Sequence, residues 1–357
     1  MKSIRFLCFI LFLSGNFSFS AQTKKSDSLS ILFIGNSFTH MNDMPSIFSK
    51  IAVSKGKAIH VEKNTQSGAS FRLHSTRLDM FAKINSRKWD YIVLQGYSRE
   101  LSHPKEYIDT ATIPFINQII DTIRNNNACT NMYFYNTWGY KKGFTEREDI
   151  NTYEKMQDSI ISGYKYISDF YNIPIVPVGM VWRKVIITHP ELNLYAEDEA
   201  HPNRLGSYLS ACTFYAAVFN ESPVGALTST ISSDNADIIQ QAAADVVLKN
   251  FNLYNLDLNT SSVKYFRTKN AKYMVVCKSN YPKAKSITWD FGNGKTSNES
   301  KVTHEYQKPG KYTIKLIVDD ECGVRTITRR VSYDAPLKPK KPQKSKPNKN
   351  PTTNKKI

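Results

Sequence analysis

Apolar and polar positions along this chain follow two rhythms. The run Ile31-Leu32-Phe33-Ile34 is continuously apolar and closes at Gly35, the pattern of a strand buried on both faces in a parallel sheet. A polar turn from Asn36 to His40 separates it from Met44–Val53, where apolar residues recur at helical spacing and Pro45 falls in the tolerant first turn. The unit then repeats. Strands are predicted at 59–62, 89–94, 131–136 and 175–178, and helices at 79–84, 113–124, 152–171, 206–219 and 233–253. Such alternation predicts an α/β layer fold with a mostly parallel sheet. Beyond about Leu258 the rhythm shifts to short β-branched and aromatic runs between turn residues, at 273–277, 286–290, 311–318 and 326–331. That pattern predicts a second, all-β unit of sandwich type.

The two termini differ from both units. Lys2 and Arg5 precede an apolar run from Phe6 to Leu13, and the small-residue exit Ser18-Phe19-Ser20 leads to Ala21. Residues 1–20 therefore read as a signal peptide, and the mature chain is expected to be secreted, extracellular or periplasmic. The run is too short for a membrane span, and no later stretch supplies roughly 18 consecutive apolar residues. The expected division is a first domain over 29–255, a β-sandwich over 258–334 and a disordered Lys/Pro-rich tail over 335–357.

Composition adds little to this division. With 357 residues, 41% of them apolar and 12% aromatic, the chain can fill two cores. The formal net charge of +17 would invite a nucleic-acid reading, but eight lysines against one aspartate in 334–357 account for +7 of it. That tail lacks the interleaved aromatics that stack on bases, so no nucleic-acid partner is expected; contact with an anionic cell-surface polymer is the partner it allows. With Cys8 lost in the leader, Cys277 and Cys322 fall in one small unit and could pair, whereas Cys129 and Cys212 read as buried free thiols. No two cysteines have zinc-site spacing, and neither metal nor cofactor is expected.

Ser37 stands in the turn after the first strand, where parallel sheets open into a crevice and the next helix points N–H groups. A serine hydroxyl is a weak nucleophile until a base takes its proton, and that base needs a carboxylate to orient it. Asp198-Glu199-Ala200-His201-Pro202 supplies both in one loop. Separately, Ser37 could cap a helix and His201 could be an ordinary loop residue. Together, at the two ends of one domain, they predict a Ser-His-Asp triad.

These residues resemble a known family. Gly35-Asn36-Ser37-Phe38-Thr39, Gly68 within Ser67-Gly68-Ala69, and Asp198-Glu199-Ala200-His201 look like conserved blocks of the SGNH (GDSL-like) hydrolase superfamily. Gly-Asn-Ser-Phe-Thr, the strand end Val93-Leu94-Gln95 and Thr137-Trp138-Gly139 are similar to a bacterial branch of it first catalogued as a domain of unknown function. The resemblance implies a flavodoxin-like three-layer α/β/α domain. It makes Ser37 the nucleophile, His201 the general base, Asp198 its partner, and the N–H groups of Ser37 and Gly68 two oxyanion-hole donors. Where the family has an asparagine in a Gly-x-Asn turn, this chain has Leu94-Gln95-Gly96-Tyr97-Ser98, and Gln95 is the expected third donor. Trp138 and Tyr140 are expected as an aromatic shelf for a sugar ring, with Trp182 a further candidate; His40 is expected to cap the turn, and Glu199 ranks below Asp198 as the carboxylate.

The second unit resembles a PKD domain, an Ig-like sandwich, through Trp289-Asp290-Phe291-Gly292-Asn293-Gly294, His304-Glu305-Tyr306 and Pro309-Gly310-Lys311-Tyr312. The expectation is a secreted serine esterase cleaving carboxylic esters through an acyl-enzyme, with acetylated glycans as the candidate substrate. The alternatives are a catalytically inactive carbohydrate-binding or cell-surface adhesion protein on the same fold, and an acyl transferase.

Overall fold

The computed structural model describes residues 28–333 except 229, 257–259, 269–271 and 283. The expected leader, the tail and the start of the second domain at 258 lie outside the described residues. Five strands form the first sheet: β1 (Leu29–Gly35), β2 (Ile59–Thr65), β3 (Tyr91–Leu94), β4 (Asn131–Tyr135) and β5 (Ile175–Val176). All four pairings are parallel and the order is β2-β1-β3-β4-β5, a doubly wound flavodoxin-like arrangement in which the winding reverses between β1 and β3.

Among the described residues ten α-helices accompany the strands: α1 (Ser37–His40), α2 (Met44–Ser54), α3 (Phe71–His74), α4 (Leu78–Asn85), α5 (Lys105–Ala111), α6 (Ile113–Asn126), α7 (Tyr153–Tyr171), α8 (Val178–Thr188), α9 (Arg204–Phe219) and α10 (Ser233–Lys249). The two-residue period of a strand sorts the core into two layers. Ile31, Phe33, Val93, Tyr135 and Val176 pack with α2, α8, α9 and α10; Leu32, Ile34, Ile92, Phe134 and Ile175 face α3 to α7. Gly206 to Ala217 of α9 are buried without a break, because that helix is enclosed between the sheet and other helices.

One predicted element changes type. The strand expected at 175–178 stops after Val176, since Pro177 has no N–H for a ladder and caps α8 instead. Val178, Val181, Trp182 and Val185 then recur at i, i+3, i+4 and i+7 and are all buried, a helical stripe the short apolar run concealed.

The second domain packs a sheet of order β10-β7-β6 against one of order β12-β11-β8-β9. Its strands are β6 (Thr260–Arg267), β7 (Tyr273–Asn280), β8 (Ser286–Asp290), β9 (Thr296–Ser297), β10 (Lys301–Tyr306), β11 (Gly310–Asp320) and β12 (Gly323–Tyr333). Inward Val275, Trp289, Tyr306, Ile314, Leu316 and Val318 fill the core.

The disulfide differs from expectation. Cys322, in the β11–β12 turn, bonds to Cys129 just before β4, across 193 residues and with 5.4 Å between Cα atoms. Cys277 cannot reach it, because its position in β7 turns it into the sandwich core, where it is a buried free thiol like Cys212. The bond ties the sandwich to the N-terminal ends of the first sheet. A junction cleft of about 400 Å³, lined by Tyr91, Arg124, Asn131, Pro282 and Glu321 among others, lies beside it.

Candidate active site

Ser37 follows β1 and the Gly96–Ser98 turn follows β3, so both stand at the C-terminal edge of the sheet where its winding reverses. Strands diverge there and leave a crevice. A cleft of about 490 Å³ occupies it, lined by Ser37, Gly68, Tyr97, Ser98, Tyr140 and His201 among others.

The cap of α1 is Asn36 and not Ser37: the Asn36 Oδ1 accepts from the Phe38 N–H at 3.0 Å. The Ser37 hydroxyl is thereby left for His201, whose Nε2 lies 2.8 Å from Ser37 Oγ. On the other side of the ring, His201 Nδ1 bonds to Asp198 Oδ2. With the Nδ1 proton held by the carboxylate, Nε2 is the acceptor for the serine proton. Burial opposes the charge on Asp198, but the ring bond from His201 and the N–H groups of His201 and Ala200, at 2.9 and 3.1 Å from Oδ1, outweigh it and hold the carboxyl below its ordinary range.

The His201 loop is clamped from several directions. Lys141 N–H donates to the Glu199 carbonyl at 2.8 Å, Trp138 Nε1 to the Ala200 carbonyl at 3.1 Å, and Asn42 Nδ2 to the Pro202 carbonyl at 3.0 Å. The Phe38 ring meets the imidazole edge-on, 5.3 Å between centroids. Glu199 takes a left-handed backbone with φ of 57° and turns its carboxylate to Lys142 Nζ at 2.7 Å, away from the imidazole.

Asn36 does more than cap. Its Nδ2 donates to the Ala69 carbonyl at 3.1 Å and to the Gly96 carbonyl at 3.0 Å, so one buried side chain joins the Ser37 turn to the loops after β2 and β3. Gly68 takes φ of 69° beside it, a backbone that favours glycine. Among the described residues no acceptor meets the N–H of Ser37 or of Gly68, and both residues line the cleft. Glu100 secures the third loop: its carboxylate accepts from Phe71 N–H at 3.0 Å and Tyr97 N–H at 2.9 Å. Burial pushes that carboxyl up to about 7, against the pull of the two N–H groups.

Two expected site residues are elsewhere. Gln95 is fully buried under the cleft; its Oε1 accepts from Asn36 N–H and Thr39 Oγ1, both at 2.8 Å, and its Nε2 is bound to the Gly96 carbonyl. Its amide is consumed in holding the Ser37 turn, and it does not border the cleft. Gly35 is required there, since a Cβ would collide with Thr39 Oγ1 and Gln95 Oε1. Trp138 is buried in a stack, 4.6 Å from Phe38 and 4.0 Å from Trp182 between centroids, so neither indole forms a shelf. Tyr140 does line the cleft, with its hydroxyl 2.7 Å from Ser98 Oγ. His40 lines it too, its imidazole pushed below its ordinary value by burial, then by Lys63 and His201.

Ser98, two places after Gly96, lines the cleft where Gln95 does not. Among the described residues no three His, Cys, Asp or Glu side chains gather as a metal site requires.

Comparison with known proteins agrees with this architecture. Residues 71–246 match the family described as a domain of unknown function (DUF4886), and residues 271–334 match the PKD domain. A DUF4886 family protein from Bacteroides uniformis shares the fold, at a TM-score of 0.55 and 20% identity over 62% of this chain and 95% of that one. A protein from Parabacteroides merdae designated a GDSL-like lipase aligns at a TM-score of 0.42 and 14% identity, over 54% of this chain and 97% of its own. Among curated proteins, Collagenase ColA of Clostridium perfringens is 46% identical over 48 residues, 13% of this chain; the match spans only 4% of the collagenase. The chain carries a DUF4886 domain with a doubly wound α/β fold, joined to a PKD domain.

Proposed function

We propose that this chain is a secreted serine esterase that cleaves short acyl groups, acetyl foremost, from a glycan. The observation carrying the reading is the chain of contacts from Ser37 Oγ through the His201 ring to Asp198, in a cleft that two unpaired N–H groups border. Ser37 attacks the ester carbonyl as His201 takes its proton, and the N–H groups of Ser37 and Gly68 receive the oxyanion. His201 then protonates the leaving alcohol, and water, deprotonated by the same imidazole, releases the acid.

The cleft walls support the substrate class. Hydroxyls of Ser67, Ser98, Tyr97 and Tyr140 stand in the lining beside the apolar Phe38 and Met41 side chains. Such a mixed wall offers hydrogen-bond partners to a hydroxyl-rich alcohol and apolar contact to an acyl group. Export is supported by the leader pattern at 1–20 and by a disulfide between the domains, a bond that persists in oxidising compartments.

The test is hydrolysis of p-nitrophenyl acetate, longer-chain p-nitrophenyl esters and acetylated xylan by the mature chain and by Ser37→Ala. The expected result is activity confined to short acyl groups and lowered at least about 10⁴-fold in kcat by the substitution. An inactive wild-type chain would sink the esterase reading and favour a glycan-binding protein on the same fold.

A further inference from the structure

The segment that carries His201 is a hairpin. Its foot is the bridge between Tyr195 and Pro202, flanked by Ala196 N–H donating to the His201 carbonyl at 2.8 Å and Asn203 N–H to the Leu194 carbonyl at 3.0 Å. Within it, the peptide unit between Ala200 and His201 is held at both ends. Its N–H donates to Asp198 Oδ1 at 2.9 Å, and its carbonyl accepts from Trp138 Nε1 at 3.1 Å. The orienting carboxylate and the Trp138 indole thus fix one plane, and a peptide plane has no soft rotation of its own.

Trp138 also reaches the nucleophile. Its ring lies parallel to that of Phe38, with 4.6 Å between centroids and 2° between planes; Phe38 follows Ser37 in α1 and meets the His201 ring edge-on at 5.3 Å. Trp182 stacks on Trp138 at 4.0 Å, and Tyr195, at the foot of the hairpin, abuts Trp182 at 5.2 Å. Four rings therefore form a column from the neighbour of Ser37 to the hairpin that carries His201, and none is more than 4% exposed. Rings packed this closely resist sliding, because displacement opens voids and forfeits contacts. The backbone after Trp138 is held as well: the Gly139 carbonyl accepts from the Tyr195 hydroxyl and the Gly139 N–H donates to the buried Gln157 Oε1, both at 2.8 Å.

We infer that Trp138 is a positioning residue that sets the distance between Ser37 and His201, its indole N–H fixing the peptide before the imidazole and its ring spacing that peptide from the Ser37 turn. The inference rests on the esterase reading above. Trp138 is fully buried and does not border the cleft, so it acts through His201 and touches no substrate. As Ser37 Oγ bonds to the carbonyl carbon, its proton passes across the 2.8 Å contact to His201 Nε2. That proton goes to the alcohol oxygen as its C–O bond breaks, and the imidazole then takes a proton from the water that attacks the acyl-enzyme. Every proton transfer uses the same nitrogen, so a shift of the hairpin slows acylation and deacylation together and leaves the binding of the ester unchanged.

Steady-state kinetics on p-nitrophenyl acetate test it, alongside thermal melting and labelling of Ser37 with a fluorophosphonate. Trp138→Phe keeps a ring in the column and removes the N–H; it is expected to lower kcat roughly 30-fold with KM changed less than about 2-fold. Tyr195→Phe keeps all four rings and frees only the Gly139 carbonyl; it is expected to lower kcat about 5-fold, and it carries the test if Trp138→Phe fails to fold. In a chain already lacking the base, His201→Ala, adding either substitution is expected to change the residual rate less than about 2-fold, because nothing remains to be positioned. Wild-type kcat in the folded variants, a raised KM in place of a lowered kcat, or an equal loss with and without His201 overturns the inference while the wild type still labels. A wild-type chain that neither labels nor hydrolyses the ester overturns the esterase reading, and this inference with it.

Discussion

The two ends of the parallel sheet are built from the same five strands and hold in different ways. At the C-terminal end, Asn36, Gln95 and Glu100 are buried polar side chains that bind backbone groups of neighbouring loops, and they hold Ser37, Gly68 and Ser98 around one cleft. At the N-terminal end, the Cys129–Cys322 bond and a junction cleft between strand starts and the sandwich join two domains. Every residue lining the first cleft comes from between Asn36 and His201, so the PKD domain contributes none of it. Directional hydrogen bonds set angles within narrow limits, which chemistry needs; a covalent tether fixes proximity, which attachment needs.

Three experiments bear on this contrast. The largest effect is expected from Asn36→Ala, which removes the donor shared by Ala69 and Gly96 and the cap of α1. Leaving those buried groups unpaired costs roughly 2–4 kcal/mol of stability. On the proposed function it also lowers kcat on p-nitrophenyl acetate by about 100-fold, because the loops of Ala69 and Gly96 lose their register to Ser37. Near wild-type turnover would mean that the loops hold themselves and that Asn36 is only a cap.

A smaller effect is expected from Glu100→Gln. Burial places the folded-state value at about 7, above that of the unfolded chain. The stability contributed by this carboxyl is therefore complete below its unfolded value and is lost as pH rises through 7, by on the order of 3 kcal/mol. Thermal melting between pH 5 and 8 should show that decline in wild type and lack it in the variant. An identical pH profile in both chains would assign the decline to other groups.

The smallest effect on catalysis is expected from joint Cys129→Ser and Cys322→Ser. Turnover of a soluble small ester should stay within about 2-fold of wild type, while limited proteolysis separates the domains more readily. A tenfold loss of turnover would show that the two ends are coupled through the strands.

Much of this was legible in the sequence, with misses of particular kinds. β1, its polar turn and α2 follow from an apolar run, a glycine and helical spacing, all local signals. The Asp198-x-x-His201 pair is local as well, since three residues suffice to fold one side chain onto the other. Gln95 was placed by its chemistry, but a strand's alternation turned it beneath the Ser37 turn and left Ser98 at the cleft. The place of Trp138 after a strand suits a sugar shelf and core packing alike, and the rings of Phe38 and Trp182 on either side enclose it in the core. The cysteine pairing followed unit membership, and an inward β7 position with a contact across the domains reversed it.

The sequence by itself determined what is decided within about one element's length: the strand and helix periods, the change of rhythm near Leu258, the residue types able to attack, accept a proton and orient, and the loop that carries two of them. Tertiary structure decided which of those residues meet. The distance from Ser37 to His201 spans 164 positions, the bond from Cys129 to Cys322 spans 193, and the bond of Asn36 to the Gly96 carbonyl spans 60. The order β2-β1-β3 sets such meetings, because it brings the ends of β1 and β3 side by side and turns their intervening segments to opposite faces. Periodicity reports which face a residue takes; strand order determines which residue stands opposite.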